Sequence, residues 1–207
     1  MKASKILRQI EITSAFPTFL CLYCWLDPAG TFVPFLLSVT AHEAGHLLLL
    51  RMLRVPIQKL RLSACGATLQ TEPLSYRREL AVAAAGPLVN LLLCLLFLHR
   101  EPVTALVSGC LCAFNLLPLY PLDGGRMVRA TLHMLLPEHS ADIIERGIAL
   151  LCMTGLLAFS CYLTCCLHAG LWPVLVCAVL ILKISGTILP EWGFFPRKVV
   201  DKTKSPC

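Results

Sequence analysis

Phe32-Val33-Pro34-Phe35-Leu36-Leu37-Ser38-Val39-Thr40-Ala41-His42-Glu43-Ala44-Gly45-His46-Leu47-Leu48-Leu49-Leu50 is the stretch on which the fold turns. It is apolar almost throughout, yet His42, Glu43 and His46 stand in its middle. On an α-helix His42 and His46 lie one turn apart on one face. Two imidazoles can then converge on a metal ion, with Glu43 beside them to take a proton from an activated water. The bland alternative is a set of satisfied polar core residues. Ionisable groups inside a membrane span are costly unless they face a wet or coordinated interior, which favours the metal.

Composition says that such a span is the right setting. The 207 residues are 57% hydrophobic and 14% charged, against about 45–50% and about 25% in ordinary globular chains. Mean hydropathy is +0.75. Water cannot solvate that much apolar surface, so lipid is the natural solvent, and disordered, collagen-like and disulfide-framework classes are excluded. A helix needs about 20 apolar residues to cross the hydrocarbon. The sequence predicts an all-α polytopic membrane protein with six transmembrane helices near 10–27, 31–51, 79–99, 102–122, 147–167 and 171–189. The uncharged run between Arg146 and Lys183 is too long for one span and turns at Leu167-His168-Ala169-Gly170, before Pro173. Lys2, Lys5 and Arg8 before the first apolar run also fit a signal peptide, but no small-residue cleavage pattern closes the run.

Between helices two and three, residues 55–72 alternate apolar and polar through Ile57 to Leu62 and turn near Cys65-Gly66. That pattern predicts a small cytosolic β-hairpin. Residues 1–190 then form one intramembrane domain, and 191–207 a basic cytosolic tail. The net charge is +6, and of the 18 Lys and Arg all but Arg100 and Lys183 fall on one face of the six-span topology. The positive-inside rule puts both termini in the cytosol and accounts for the basic balance by topology and anionic lipid, with no nucleic acid partner. Of the 12 cysteines, all but Cys65 and Cys207 lie in the apolar segments and serve as small hydrophobes. Cys21-Leu22-Tyr23-Cys24 is formally a CxxC, a weak signal inside an apolar helix.

Two histidines are too few ligands for zinc. A carboxylate at the end of an apolar span is the natural third, and Asp123 qualifies in Asn115-Leu116-Leu117-Pro118-Leu119-Tyr120-Pro121-Leu122-Asp123-Gly124-Gly125-Arg126. Spans two and four run in the same direction, and His46 lies about 7 Å by helical rise from Arg51, so the two sites share a depth. Pro118 and Pro121 break the helical ladder, and Gly124-Gly125 suggests non-helical backbone there. An interfacial Asp123 paired with Arg126 is the alternative. Two His and one carboxylate leave a fourth position open, the catalytic pattern.

His42-Glu43-Ala44-Gly45-His46 within one span, Asn115 to Arg126 at the end of a later one, and Ala85-Gly86-Pro87-Leu88-Val89-Asn90 between them resemble the site-2 protease family of intramembrane zinc metalloproteases. The six-span arrangement is similar to the stage IV sporulation protein FB group, whose members release a membrane-associated transcription-factor precursor. The resemblance implies one Zn2+ held by His42, His46 and Asp123, with Glu43 as general base and Asn115 as the group that helps hold the substrate carbonyl or the oxyanion. An interhelical hydrogen bond is the competing role for Asn115, and Gly86, Pro87 and Asn90 read mainly as packing and kink positions. It also implies a membrane-anchored protein substrate, regulatory membrane proteins as partners, and a bacterial cytoplasmic membrane. Members of that group carry a cytosolic CBS domain after the last span. No such domain is expected here, since the sequence ends at Cys207. A metal-ion transporter would need ionisable residues along a pathway, and the last two spans offer only His168 and Lys183. An inactive membrane scaffold would need a lost ligand or base, and none is missing.

Overall fold

The apolar runs do become helices, but their ends are set by capping groups and prolines rather than by hydropathy. The computed structural model describes residues 10–12, 15–25, 27, 30–63, 66–71, 73–166 and 177. In chain order these form β1 (Ile10–Ile12), α1 (Ala15–Trp25), α2 (Phe32–Met52), β2 (Ile57–Ser63), β3 (Gly66–Thr71), α3 (Tyr76–Phe97), α4 (Pro102–Asn115), α5 (Asp123–Leu135) and α6 (Glu138–Cys166). Asp27 caps α2: its Oδ2 accepts the Phe32 N–H at 2.7 Å and its Oδ1 the Thr31 hydroxyl at 2.8 Å. Pro102 opens α4 at a first-turn position, where its missing N–H costs nothing.

Among the described residues three helices, α2, α3 and α6, are long and apolar enough to cross a membrane. Six spans are not found among the described residues. The first apolar segment divides into β1 and the 11-residue α1. The fourth is helical for only 14 residues, Pro102–Asn115, about 21 Å by helical rise against about 30 Å of hydrocarbon. Past Asn115, Pro118 and Pro121 deny the ladder its donors. The fifth is longer than expected, since α6 starts at Glu138 and runs for 29 residues. The expected span at 171–189, Cys177 apart, and the tail at 191–207 lie outside the described residues.

Against α1 lies one small sheet of order β1-β2-β3. β2 and β3 pair antiparallel with Leu60 opposite Leu69, and β1 joins β2 in parallel with Ile10 opposite Leu60.

The helices pack with small residues inward and leucines outward, as lipid-embedded helices do. Leu95, Leu96, Leu150 and Leu151 are exposed, whereas Ser38, Ala83, Ser108, Ala141 and Ser160 are buried. A Cβ on Gly45 would stand 2.9 Å from the Ala85 carbonyl oxygen, so α2 lies directly on the α3 backbone. The Ser38 and Ser108 hydroxyls meet at 2.7 Å, joining α2 to α4. The Cys112 thiol donates to the Pro87 carbonyl at 3.3 Å, joining α4 to α3.

The connection from Leu116 to Leu122 is held down by Leu119, which is fully buried and packs with Ala149 of α6. Helix resumes at Asp123, so Gly124 and Gly125 are helical, contrary to the sequence expectation. Their role is close approach. A Cβ on Gly124 would collide with the Leu116 and Leu117 carbonyls, and one on Gly125 with the backbone of Leu119 and Tyr120. Folding the connection against the first turn of α5 in this way aims Asp123 at α2.

Candidate metal centre

His42 and His46, one turn apart on α2, and Asp123, in the first turn of α5, meet at one buried point. The two Nε2 atoms are 3.2 Å apart, and each is 3.1 Å from Asp123 Oδ2. A tetrahedral ion with bonds of about 2.0–2.1 Å spaces its ligand atoms about 3.3 Å apart. The three atoms therefore form one face of such a tetrahedron. All three carry lone pairs that repel at this separation, and a shared cation reconciles them. By donor type, spacing and burial the residues fit zinc, with the fourth corner left for water or substrate.

Each of the three is backed from behind: both histidines by α3, and Asp123 by Arg126 of its own helix, which α3 holds in turn. His46 Nδ1 lies 2.7 Å from the Val82 carbonyl, which accepts its proton and leaves the Nε2 lone pair for the ion. His42 Nδ1 faces the fully buried Asn90 carboxamide at 3.2 Å. Asp123 Oδ1 accepts from Arg126 Nη1 at 3.4 Å, and Arg126 is held through Nε and Nη2 by Glu79 Oε1 at 3.0 and 2.9 Å. Gly86 lies between Val82 and Asn90 on the same face. A Cβ there would collide with His46 Nε2 and stand 2.7 Å from His42 Cε1.

Packing alone, the role that sequence gives Gly86 and Asn90, is therefore incomplete. Gly86 keeps the space beside both histidines open, and Asn90 contacts His42. Glu79 and the Val82 carbonyl were not singled out by sequence at all. The Glu79 charge at the start of an apolar helix was an available signal, but a backbone carbonyl leaves none. Arg126 does pair with Asp123, as the bland alternative for Asp123 has it, yet through the oxygen that does not face the histidines. Glu43 is half-buried on α2 beside His42. Asn115 ends α4 with its amide donating to the Leu111 carbonyl at 3.1 Å.

A second trio of the same residue types lies between α5 and α6. His133 Nε2 is 3.4 Å from Asp142 Oδ1, Arg129 Nε is 3.9 Å from Glu145 Oε2, and the Tyr76 ring stacks on His133 at 5.3 Å. His133, Asp142 and Glu145 are close enough in type and distance to count as a candidate metal group.

An HExxH helix completed by a distant aspartate, among helices of membrane-spanning length, defines a candidate metal-binding site. Comparison with known proteins agrees. Residues 102–157 match peptidase family M50. The chain is 31% identical over 117 residues to a zinc metalloprotease of Methanocaldococcus jannaschii, covering 50% of this chain and 34% of that one. It is 35% identical over 146 residues to Rip3 of Mycobacterium tuberculosis, named as a zinc metalloprotease, covering 60% and 35% respectively. The chain thus spans about a third of the length of these curated relatives. The solved site-2 protease of M. jannaschii superposes with a TM-score of 0.63 at 23% identity, covering 93% of this chain and 94% of that one. Residues 102–157 are thus similar to peptidase family M50, and the chain shares the fold of the solved site-2 protease.

Proposed function

We propose that this chain is an intramembrane zinc metalloprotease that hydrolyses a peptide bond of a membrane-embedded or membrane-tethered protein. The observation that carries the reading is the convergence of His42 Nε2, His46 Nε2 and Asp123 Oδ2 within 3.2 Å of one another at a buried point. These three residues would hold one zinc ion, which supplies Lewis-acid polarisation of water and of a peptide carbonyl. Glu43, next to His42, takes the proton from the attacking water and returns it to the leaving amine. Asn115 turns its amide from the Leu111 carbonyl to the substrate carbonyl oxygen, stabilising the charge that develops there.

A transmembrane helix hides its peptide bonds in its own ladder, so the substrate must enter unwound. β3 is an outer strand of the described sheet, and an extended substrate segment can add to its edge through main-chain hydrogen bonds. The distribution of Lys and Arg supports a chain with both termini in the cytosol and cleavage near the cytosolic leaflet. Release of a tethered transcription-factor precursor, with regulatory membrane proteins controlling access as in the sporulation group, is the use that fits this orientation.

Glu43→Gln is the direct test. The variant is expected to hold zinc at the wild-type ratio while cleavage of a membrane-tethered reporter falls by about 10²–10⁴-fold. Undiminished cleavage overturns the mechanism. Chelation should abolish wild-type cleavage, and added zinc should restore it.

A further inference from the structure

Asn90 sits in the middle of an apolar helix with no exposed surface, a costly place for a carboxamide unless both its ends are used. One end lies 3.2 Å from His42 Nδ1, and Asn90 Oδ1 is buried with no hydrogen-bond partner. His42 is the residue that decides which end should face the ring. Its Nε2 points at Asp123 Oδ2 and His46 Nε2, so a metal there takes the Nε2 lone pair. A neutral imidazole bound through Nε2 carries its proton on Nδ1, and the atom facing Nδ1 must then accept. The two ends of a carboxamide exchange by a half-turn about its terminal bond. With Nδ2 towards the ring, Oδ1 is stranded and the ring is in the tautomer that cannot bind metal. With Oδ1 towards the ring, the orphaned oxygen gains a donor and the ring gains the right tautomer.

We infer that Asn90 is the positioning residue of the centre: its Oδ1 accepts the His42 Nδ1 proton and so holds the His42 Nε2 lone pair on the metal. It does for His42 what the Val82 carbonyl does for His46 at 2.7 Å. Helix α2 cannot provide either acceptor, because its own carbonyls are committed to its ladder. Val82 and Asn90 are eight positions apart on α3, about two turns, so one helix face reaches the outer nitrogens of both histidines. The inference rests on the zinc reading proposed above.

The test uses the full chain in detergent, with zinc affinity measured by competition against a chromogenic chelator. Asn90→Leu keeps the shape and removes the acceptor, Asn90→Ala removes both, and Asn90→Asp keeps an acceptor that cannot donate. Zinc affinity is expected to fall by about 10–100-fold in the Leu and Ala variants. The Asp variant is expected to keep the wild-type affinity, and the visible spectrum of bound Co2+ should change in the first two only. Equal loss in all three overturns the inference, as does wild-type affinity in whichever of the Leu and Ala variants keeps its helix content. A wild-type chain that binds no zinc overturns the metal reading and this inference together, whereas a zinc-binding wild type with an indifferent Asn90→Leu overturns the inference alone.

Discussion

His42, His46 and Asp123 present their ligand atoms at 3.1 to 3.2 Å from one another, all facing one point and each braced from behind. His133, Asp142 and Glu145, the other trio, are arranged differently. Asp142 is half exposed, Arg129 approaches Glu145, and neither His133 ring nitrogen has a hydrogen-bond partner. An imidazole whose ring nitrogens have no hydrogen-bond partner is not held in one tautomer. The contrast teaches that residue type and proximity do not make a metal centre. What separates the two trios is the second layer, most of which α3 supplies in the first trio.

The largest effect that could break this contrast is removal of a ligand. His42→Ala, His46→Ala and Asp123→Ala should each take bound zinc from about one per chain to near zero by metal analysis. Retention in any of them would place the ion elsewhere. Nearly as large is Gly86→Ala, which adds one methyl at the point where both histidines face α3. Zinc content should drop as it does for a lost ligand, while helix content by circular dichroism stays unchanged. Next comes Arg126→Ala, which frees Asp123 Oδ1. Zinc affinity should weaken by about 10–100-fold, with Glu79→Gln weaker in the same direction because Glu79 acts only through Arg126. Smallest of all, His133→Ala should leave zinc content and affinity within about twofold of wild type. A second equivalent of zinc that disappears in that variant would abolish the distinction between the trios.

Sequence made the residues of the candidate centre legible and left their support obscure, for a physical reason. Histidine, glutamate and aspartate are conspicuous in an apolar chain because burying them is expensive, so His42, Glu43, His46 and Asp123 announce themselves. Support is carried by groups with no such mark. The Val82 carbonyl belongs to every residue type, Gly86 contributes by lacking a side chain, and Asn90 looks like any small interhelical polar group. The helix boundaries show a related limit. Hydropathy registers that Leu116 to Leu122 is apolar, but not that Pro118 and Pro121 fold it, nor that Ile10 to Ile12 pairs with Leu60 to Leu62 as a strand. Helix α5 was hidden by Gly124-Gly125, a pair that costs about 1 kcal/mol each against alanine in a helix. It is tolerated because no larger residue could lie against Leu116 to Tyr120.

Glu79, Val82, Gly86 and Asn90 fall along one narrow side of a single rod. A turn of α3 about its long axis would withdraw the Asn90 amide, the Val82 carbonyl and the Glu79 anchor in one movement while swinging bulk into the place of Gly86. The candidate centre would therefore behave as a lock with one bolt rather than three, and any force that rotated α3 would change the grip on a bound metal without touching His42, His46 or Asp123.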